Sequence, residues 1–412
     1  MSHLVVVPIV LPLLTTALLL LLGEQRRRLK SLLNVGSTLA GLVVAALIWR
    51  HADAGAVDVY LASNWEAPYG IVLVADRLAA LMLVLVGVVS LCVSVYAEAS
   101  WARAGVYFHA LFQIQLMGLN GAFLTGDLFN LFVFFEVMLA ASYGLQLHGS
   151  GWPRVRAGMH YIAVNLLASS LFLVGLSVLY GVMGTLSMAD VADKIAHVPE
   201  QDRGLLHAGA AILAVAFLVK AAVWPLNAWL LPAYSSASAP VTALFALMTK
   251  VGVYTLLRLS TLLFSADAGP SEAFGAPVLL YGGLATLAFG GIGVLASLRL
   301  RRIAGFSILV SSGTLLAALG VGAAAVTSAA LFYLISATLA VSALFLLVEL
   351  LERIGADGTP HWPELELVPG EETNLDDQEE ALVGREFPVS IALLGLSFLA
   401  CALLVAGLPP LS

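Results

Sequence analysis

Apolar runs about twenty residues long recur along almost the whole chain. Wound as a helix rising about 1.5 Å per residue, a run of that length crosses the roughly 30 Å hydrocarbon layer of a bilayer. The strands of a membrane barrel would alternate apolar with polar residues, and these runs do not. Inside hydrocarbon each helix satisfies its own backbone, which a lone strand cannot do. The sequence therefore predicts an all-α polytopic membrane protein. Composition agrees: 60% of the 412 residues are hydrophobic and 11% are charged, against about 25% charged in a typical soluble domain.

Twelve spans are predicted: Leu4–Leu22, Ser31–Trp49, Ile71–Tyr96, Val106–Leu124, Leu128–Leu147, His160–Met183, His207–Leu231, Ala239–Phe264, Val278–Leu298, Ile303–Val321, Ser328–Leu351 and Phe387–Leu408. The first has its basic cluster after it rather than before it, so it reads as a retained helix and not a signal peptide. Twelve of the 19 Lys and Arg residues fall on one side of this arrangement: Arg26, Arg27, Arg28, Lys30, Arg103, Arg154, Arg156, Arg299, Arg301, Arg302, Arg353 and Arg385. Arg50, Lys194 and Arg203 fall on the other. The positive-inside rule then puts the first residue outside the cytoplasm. Two connections exceed turn length. Gly184–Leu206 has room for a short surface helix, and 352–386 carries the acidic run EETNLDDQEE, Glu371 to Glu380, which reads as a solvated linker. Three regions are expected: 1–98, a three-helix segment; 99–265, a first repeat; and 266–412, a second repeat containing the acidic loop.

Charges inside the spans carry the functional reading. Glu136 sits in NLFVFFEVML, roughly 12 Å into its span. Lys220 sits in FLVKAAVWPLNAWLL, five residues before Pro225, and Lys250 in FALMTKVGVY. All three fall near the midplane, where ionisable groups are costly and mark ion or proton pathways. Ion pairs that only fix helix register are the competing reading. Pro225 removes a helix hydrogen bond, and a broken helix at this depth is tolerated where it lines a wet cavity or is buried in protein. A lysine whose carboxylate partner approaches or withdraws can take up and release a proton. His160, His109 and Tyr254 are candidate extensions of such a wire, although histidines at these positions are more often core or interface residues. Asp127 is expected to cap the fifth span, Asp76 and Arg77 to lie at headgroup level, and Ser311, Ser312 and Gly313 to loosen the tenth span. The two cysteines, Cys92 and Cys401, lie in apolar runs and read as small buried hydrophobes. The sequence has no phosphate loop, nucleophile triad or metal-ligand spacing, so no cofactor, metal or nucleic-acid partner is expected.

Three stretches carry a family resemblance: GDLFNLFVFFEVMLAASYGL, LVKAAVWPLNAWLLPAYSSASAPVTALFALMTKVGVYTLLR, and the closing GLPPLS. They resemble the D-type subunit of the multi-subunit Mrp-type monovalent cation/proton antiporters, relatives of the proton-pumping antiporter-like subunits of respiratory complex I. The likeness covers nearly the whole chain and is densest from Val106 to Arg258. It implies two inverted five-helix repeats, each with a discontinuous helix, the first of them in span seven. It also implies Glu136 paired with Lys220, Lys250 as the next station, and other antiporter subunits as partners in a hetero-oligomer exchanging H+ for Na+ or K+. In the family the GLPPLS motif runs on into a second discontinuous helix, so the second repeat is expected to be incomplete here. Related complex I subunits often have His and Lys where FYLISATLAVSALF has Ser336, Ala337 and Val341, so either the middle of the relay rests on water and hydroxyls or the route differs in this subfamily. Two other readings stay open: a membrane subunit of an NADH:quinone or hydrogenase-linked respiratory complex, and a non-transporting assembly subunit.

Overall fold

A computed structural model describes residues 2–23, 26–65, 69–99, 101 and 107–355. The predicted span Phe387–Leu408 and the acidic run Glu371–Glu380 lie outside the described residues. Within them the chain forms thirteen α-helices: α1 Val7–Leu21, α2 Arg27–Asp53, α3 Arg77–Ala99, α4 Phe108–Leu124, α5 Leu128–Gln146, α6 Trp152–Met183, α7 Met188–Ile195, α8 Glu200–Lys220, α9 Leu230–Ser236, α10 Ala239–Leu262, α11 Ala276–Ala296, α12 Leu300–Val321 and α13 Ala324–Gly355. Ten of the described helices are long and apolar enough to cross a membrane. The chain is a polytopic membrane protein, and α4, at 17 residues, corresponds to a further predicted span.

Helix ends differ from the sequence expectation where charge had marked them. The basic residues from Arg27 to Lys30 form the first turn of α2 rather than a loop. The basic pair Arg154 and Arg156 lies inside α6, which begins at Trp152 with Pro153 in its first turn. Proline fits there because the first helical N–H groups have no intrahelical acceptor. The third span starts later than expected. Residues Val72–Ala75 form strand β2, which pairs antiparallel with β1, Asp58–Leu61, in the register Asp58 to Ala75. Arg77 then opens α3 and donates to the carbonyls of Ala52 (3.3 Å) and Asp53 (2.8 Å), closing the C-terminus of α2. The long connection after α6 does hold a short surface helix, α7, with Lys194 bonded to Asp190 at 3.0 Å.

Helix α10 is the centre of the bundle, its spanning window wholly buried. It packs on α3, α8, α12 and α13. Helices α11 and α12 approach most closely through glycine: a β-carbon at Gly283 would stand 2.3 Å from the Ala317 amide nitrogen, and one at Gly313 2.5 Å from that of Leu287. In hydrocarbon, where apolar contact alone does not drive helices together, such small residues allow the close packing that does. The outward faces of α1, α2, α6 and α11 leave large apolar side chains such as Leu14, Leu32, Leu167 and Ile292 exposed, as a lipid-facing surface requires.

Candidate functional site

The site begins where α8 stops. Lys220 is the last residue of that helix, and turns carry the chain to Leu230, where α9 begins. Pro225 lies in the middle of this break. Ala222 adopts a left-handed conformation, φ 58°, which costs a non-glycine residue about 1–3 kcal/mol. Freed carbonyls find new donors: Val223 N–H donates to Leu218 O at 3.0 Å, and the Trp229 indole donates to Val219 O at 3.1 Å. The Thr286 hydroxyl of α11 accepts from Trp224 N–H at 2.9 Å.

Lys220 Nζ is buried without a hydrogen-bond partner. It lies over two aromatic faces, 5.8 Å from the Tyr161 ring centre and 5.9 Å from that of Trp229, a distance at which a cation is attracted to the ring quadrupole. Tyr161 is itself held by Ser142, hydroxyl to hydroxyl, at 2.7 Å. Four more buried polar atoms on the elements around the break lack a partner: Tyr143 Oη, Gln146 Oε1, Asn227 Nδ2 and Ser238 Oγ.

Glu136 projects from α5 and accepts a short hydrogen bond from Ser169 Oγ of α6. It is within Coulombic reach of Lys220, yet no ion pair joins the two: the carboxylate is turned to a hydroxyl and the amine to aromatic rings. The direct pairing implied by the family resemblance is not made here; each group faces a different neighbour.

Lys250 lies deep in α10, its Nζ donating to Ser311 Oγ of α12 at 2.7 Å. Gly252, two residues on, permits the crossing of α10 with α8. A β-carbon there would stand 2.7 Å from Ala221 N and 2.8 Å from Phe217 O. Both lysines therefore flank one helix crossing. Beyond Lys250, Ser311 also lines a cavity of about 700 Å3 together with Ser307, Tyr333, Ser336, Ala337 and Val341. The residues of α13 singled out in the sequence thus lie on the same cavity as the partner of Lys250.

The other candidates lie apart. His160 is exposed on α6. Tyr254, one turn beyond Lys250, donates to Phe123 O at 2.7 Å and accepts from Arg258 Nη2 at 2.8 Å. Arg258 in turn forks onto both carboxylate oxygens of Asp76. Asp76, just before the first residue of α3, is thus clamped by an arginine of α10. Burial works to raise its pKa, but the Arg258 guanidinium overrides this and holds it below the ordinary carboxylate value. His109 Nε2 lies 3.7 Å from Glu98 Oε1, near the start of α4. Asp127 caps α5 as expected, its carboxylate accepting from Asn130 N–H at 2.7 Å.

Sequence reasoning missed Glu349. It is buried on α13, accepting from the Trp101 indole at 2.6 Å and from Tyr96 Oη at 2.9 Å. The signal was available as an acid inside an apolar run, but its nearness to the end of the predicted span hid it.

A polytopic helical bundle with two buried lysines, one at a helix break and one on the central helix, is the frame in which the comparisons with known proteins fall. Residues 125–412 match the family model described as NADH:quinone oxidoreductase/Mrp antiporter, TM, and the chain belongs to that family. It is 53% identical over 417 residues to a Rhizobium meliloti (strain 1021) protein named as the probable D-type subunit of a K(+)/H(+) antiporter, covering 100% of this chain and 77% of that one. It is 33% identical to the protein of Bacillus subtilis (strain 168) named as the D-type subunit of a Na(+)/H(+) antiporter, covering 100% and 78%. Among solved structures, a chain of the Mrp complex from Dietzia sp. DQ12-45-1b superposes with a TM-score of 0.79 at 28% identity, covering 98% of this chain and 76% of that chain.

Proposed function

We propose that this chain is the D-type subunit of a multi-subunit monovalent cation/proton antiporter, that it carries the proton, and that Glu136, Lys220 and Lys250 are its stations. The observation that carries this reading is the pair of buried lysines at one helix crossing, the first unpartnered beside a helix break and the second bonded to a hydroxyl. A buried ammonium with no hydrogen-bond acceptor is expensive. Water reaching the break would satisfy it, together with Tyr143, Gln146, Asn227 and Ser238.

The energies are matched. A carboxylate and an ammonium about 4 Å apart attract by about 4 kcal/mol at an effective dielectric near 20. The membrane potential supplies about 2.3 kcal/mol per charge per 100 mV. Glu136 moving from Ser169 towards Lys220 would therefore stabilise the protonated lysine by an amount comparable with the driving force. Its return would release that proton towards Lys250 and Ser311. External H+ would exchange for cytoplasmic Na+ or K+, the cation path being shared with partner subunits, in a bacterial inner membrane with the N-terminus outside. The relatives named as antiporter subunits favour this over the respiratory-complex and assembly-subunit readings.

The test is Lys220→Ala in the assembled complex, reconstituted in vesicles. Cation-dependent proton flux is expected to fall at least hundredfold. Flux that persists at the wild-type rate removes Lys220, and with it the proposed route.

A further inference from the structure

A cavity of about 670 Å3 opens at the end of the bundle where α12 begins, between α9, the start of α12 and the end of α13. Arg299, Arg301 and Arg302 line it together with Glu352, Leu231 and Ser235. Arg301 Nε donates to Glu352 Oε2 at 2.7 Å. Arg299 and Arg302 are exposed and have no carboxylate partner among the described residues. Among the described residues, three guanidiniums face this cavity against one carboxylate. In the chain just before Arg299, Leu298 is 99% exposed, and Leu295, in the last turn of α11, is 89% exposed.

We propose that this cavity binds the phosphate of an anionic phospholipid, with Arg299 and Arg302 as the phosphate ligands and the exposed Leu295 and Leu298 under the acyl chains. Guanidinium matches phosphate oxygens with a planar fork of donors. Basic pockets between spanning helices are suited to anionic headgroups. The apolar rim supplies the selection: a free phosphate uses the arginines alone, whereas a lipid also covers Leu295 and Leu298. Ser235 adds a hydroxyl from α9, the short helix that follows the break after Lys220. A lipid held there would brace α9 against α12. The site does not depend on the route proposed for the proton.

Native mass spectrometry of the assembled complex in detergent tests this, with phosphatidylglycerol and phosphatidylcholine as probes. The wild type is expected to retain phosphatidylglycerol in preference to phosphatidylcholine. Arg299→Gln with Arg302→Gln should cut that retention at least tenfold, while Arg27→Gln with Arg28→Gln, in the first turn of α2, should not. The milder pair Arg299→Lys and Arg302→Lys keeps charge but loses the fork, and should retain an intermediate amount even if the glutamine pair fails to assemble. Undiminished retention in the glutamine or the lysine pair overturns the proposal. Equal retention of phosphatidylcholine, or displacement of the lipid by millimolar inorganic phosphate, overturns it as well.

Discussion

Lys220 and Arg258 are both cations inside this bundle, and they are treated in opposite ways. Arg258 is saturated: it forks onto Asp76, donates to Tyr254, and stacks 5.3 Å from the Tyr254 ring centre. Tyr254 in turn ties the cluster to the backbone of α4 through Phe123. Lys220 has two aromatic faces, no hydrogen-bond partner, and a carboxylate held off by Ser169. A charge that fastens helices is surrounded by acceptors. The charge that changes state on the proposed route is left short of them, at a place where the backbone is already broken. On the proposed route, this difference is what sets the proton-carrying charge apart from the fastening one.

The comparison can be broken most directly through transport. Lys220→Met should remove proton flux, by at least a hundredfold, while the melting temperature of the complex stays near that of the wild type. A large loss of stability instead would place Lys220 with Arg258 among the fasteners. The converse holds for Arg258→Ala, which strands Asp76. Breaking a buried pair by removing one partner costs about 3–5 kcal/mol, and partial exposure of this pair, 17% and 24% of the two side chains, points to about 3 kcal/mol. Denaturant melts of Arg258→Ala, Asp76→Asn and the double variant should show the double losing less than the sum of the singles; strict additivity would mean that the pair is not coupled.

A third measurement sharpens the role of the second lysine. Ser311→Ala removes the acceptor of Lys250 and should slow flux about tenfold, with Ser311→Thr restoring most of it. An alanine variant at full speed would show that the hydroxyl only fills space. A smaller effect concerns the fastening pair and pH. Because Arg258 holds the Asp76 carboxyl below its ordinary value of 3.8, the stabilisation is present above that pH and is lost as the pH falls through the lowered value. A melting series should therefore be insensitive to Asp76→Asn only at the acid extreme. The smallest expected change is Asp127→Ala, which deletes the cap of α5 at a cost of about 1 kcal/mol, readable as a shift in denaturation midpoint with flux intact.

Much of this was legible from residues alone. A charge in an apolar run announces its own cost, so Glu136, Lys220 and Lys250 could be picked out without a partner in view. Pro225 marked where α8 would fail, and Asp127 marked a helix start. The hairpin of β1 and β2 was not legible, because its second strand joins an apolar run that looks like the start of a span. Nor was the clamp of Asp76 by Arg258, whose partners are 182 residues apart in the chain. The family resemblance implies that Glu136 pairs with Lys220, yet local packing gives each a different neighbour.

Sequence by itself determined which segments must enter the membrane and which side chains would be costly there, since hydrophobic length and buried charge are properties of single segments. Only the tertiary structure decided which charges are saturated and which are left wanting. That depends on what neighbouring helices bring within about 3 Å, and a hydrogen bond exists or fails at that range whatever the composition of the chain.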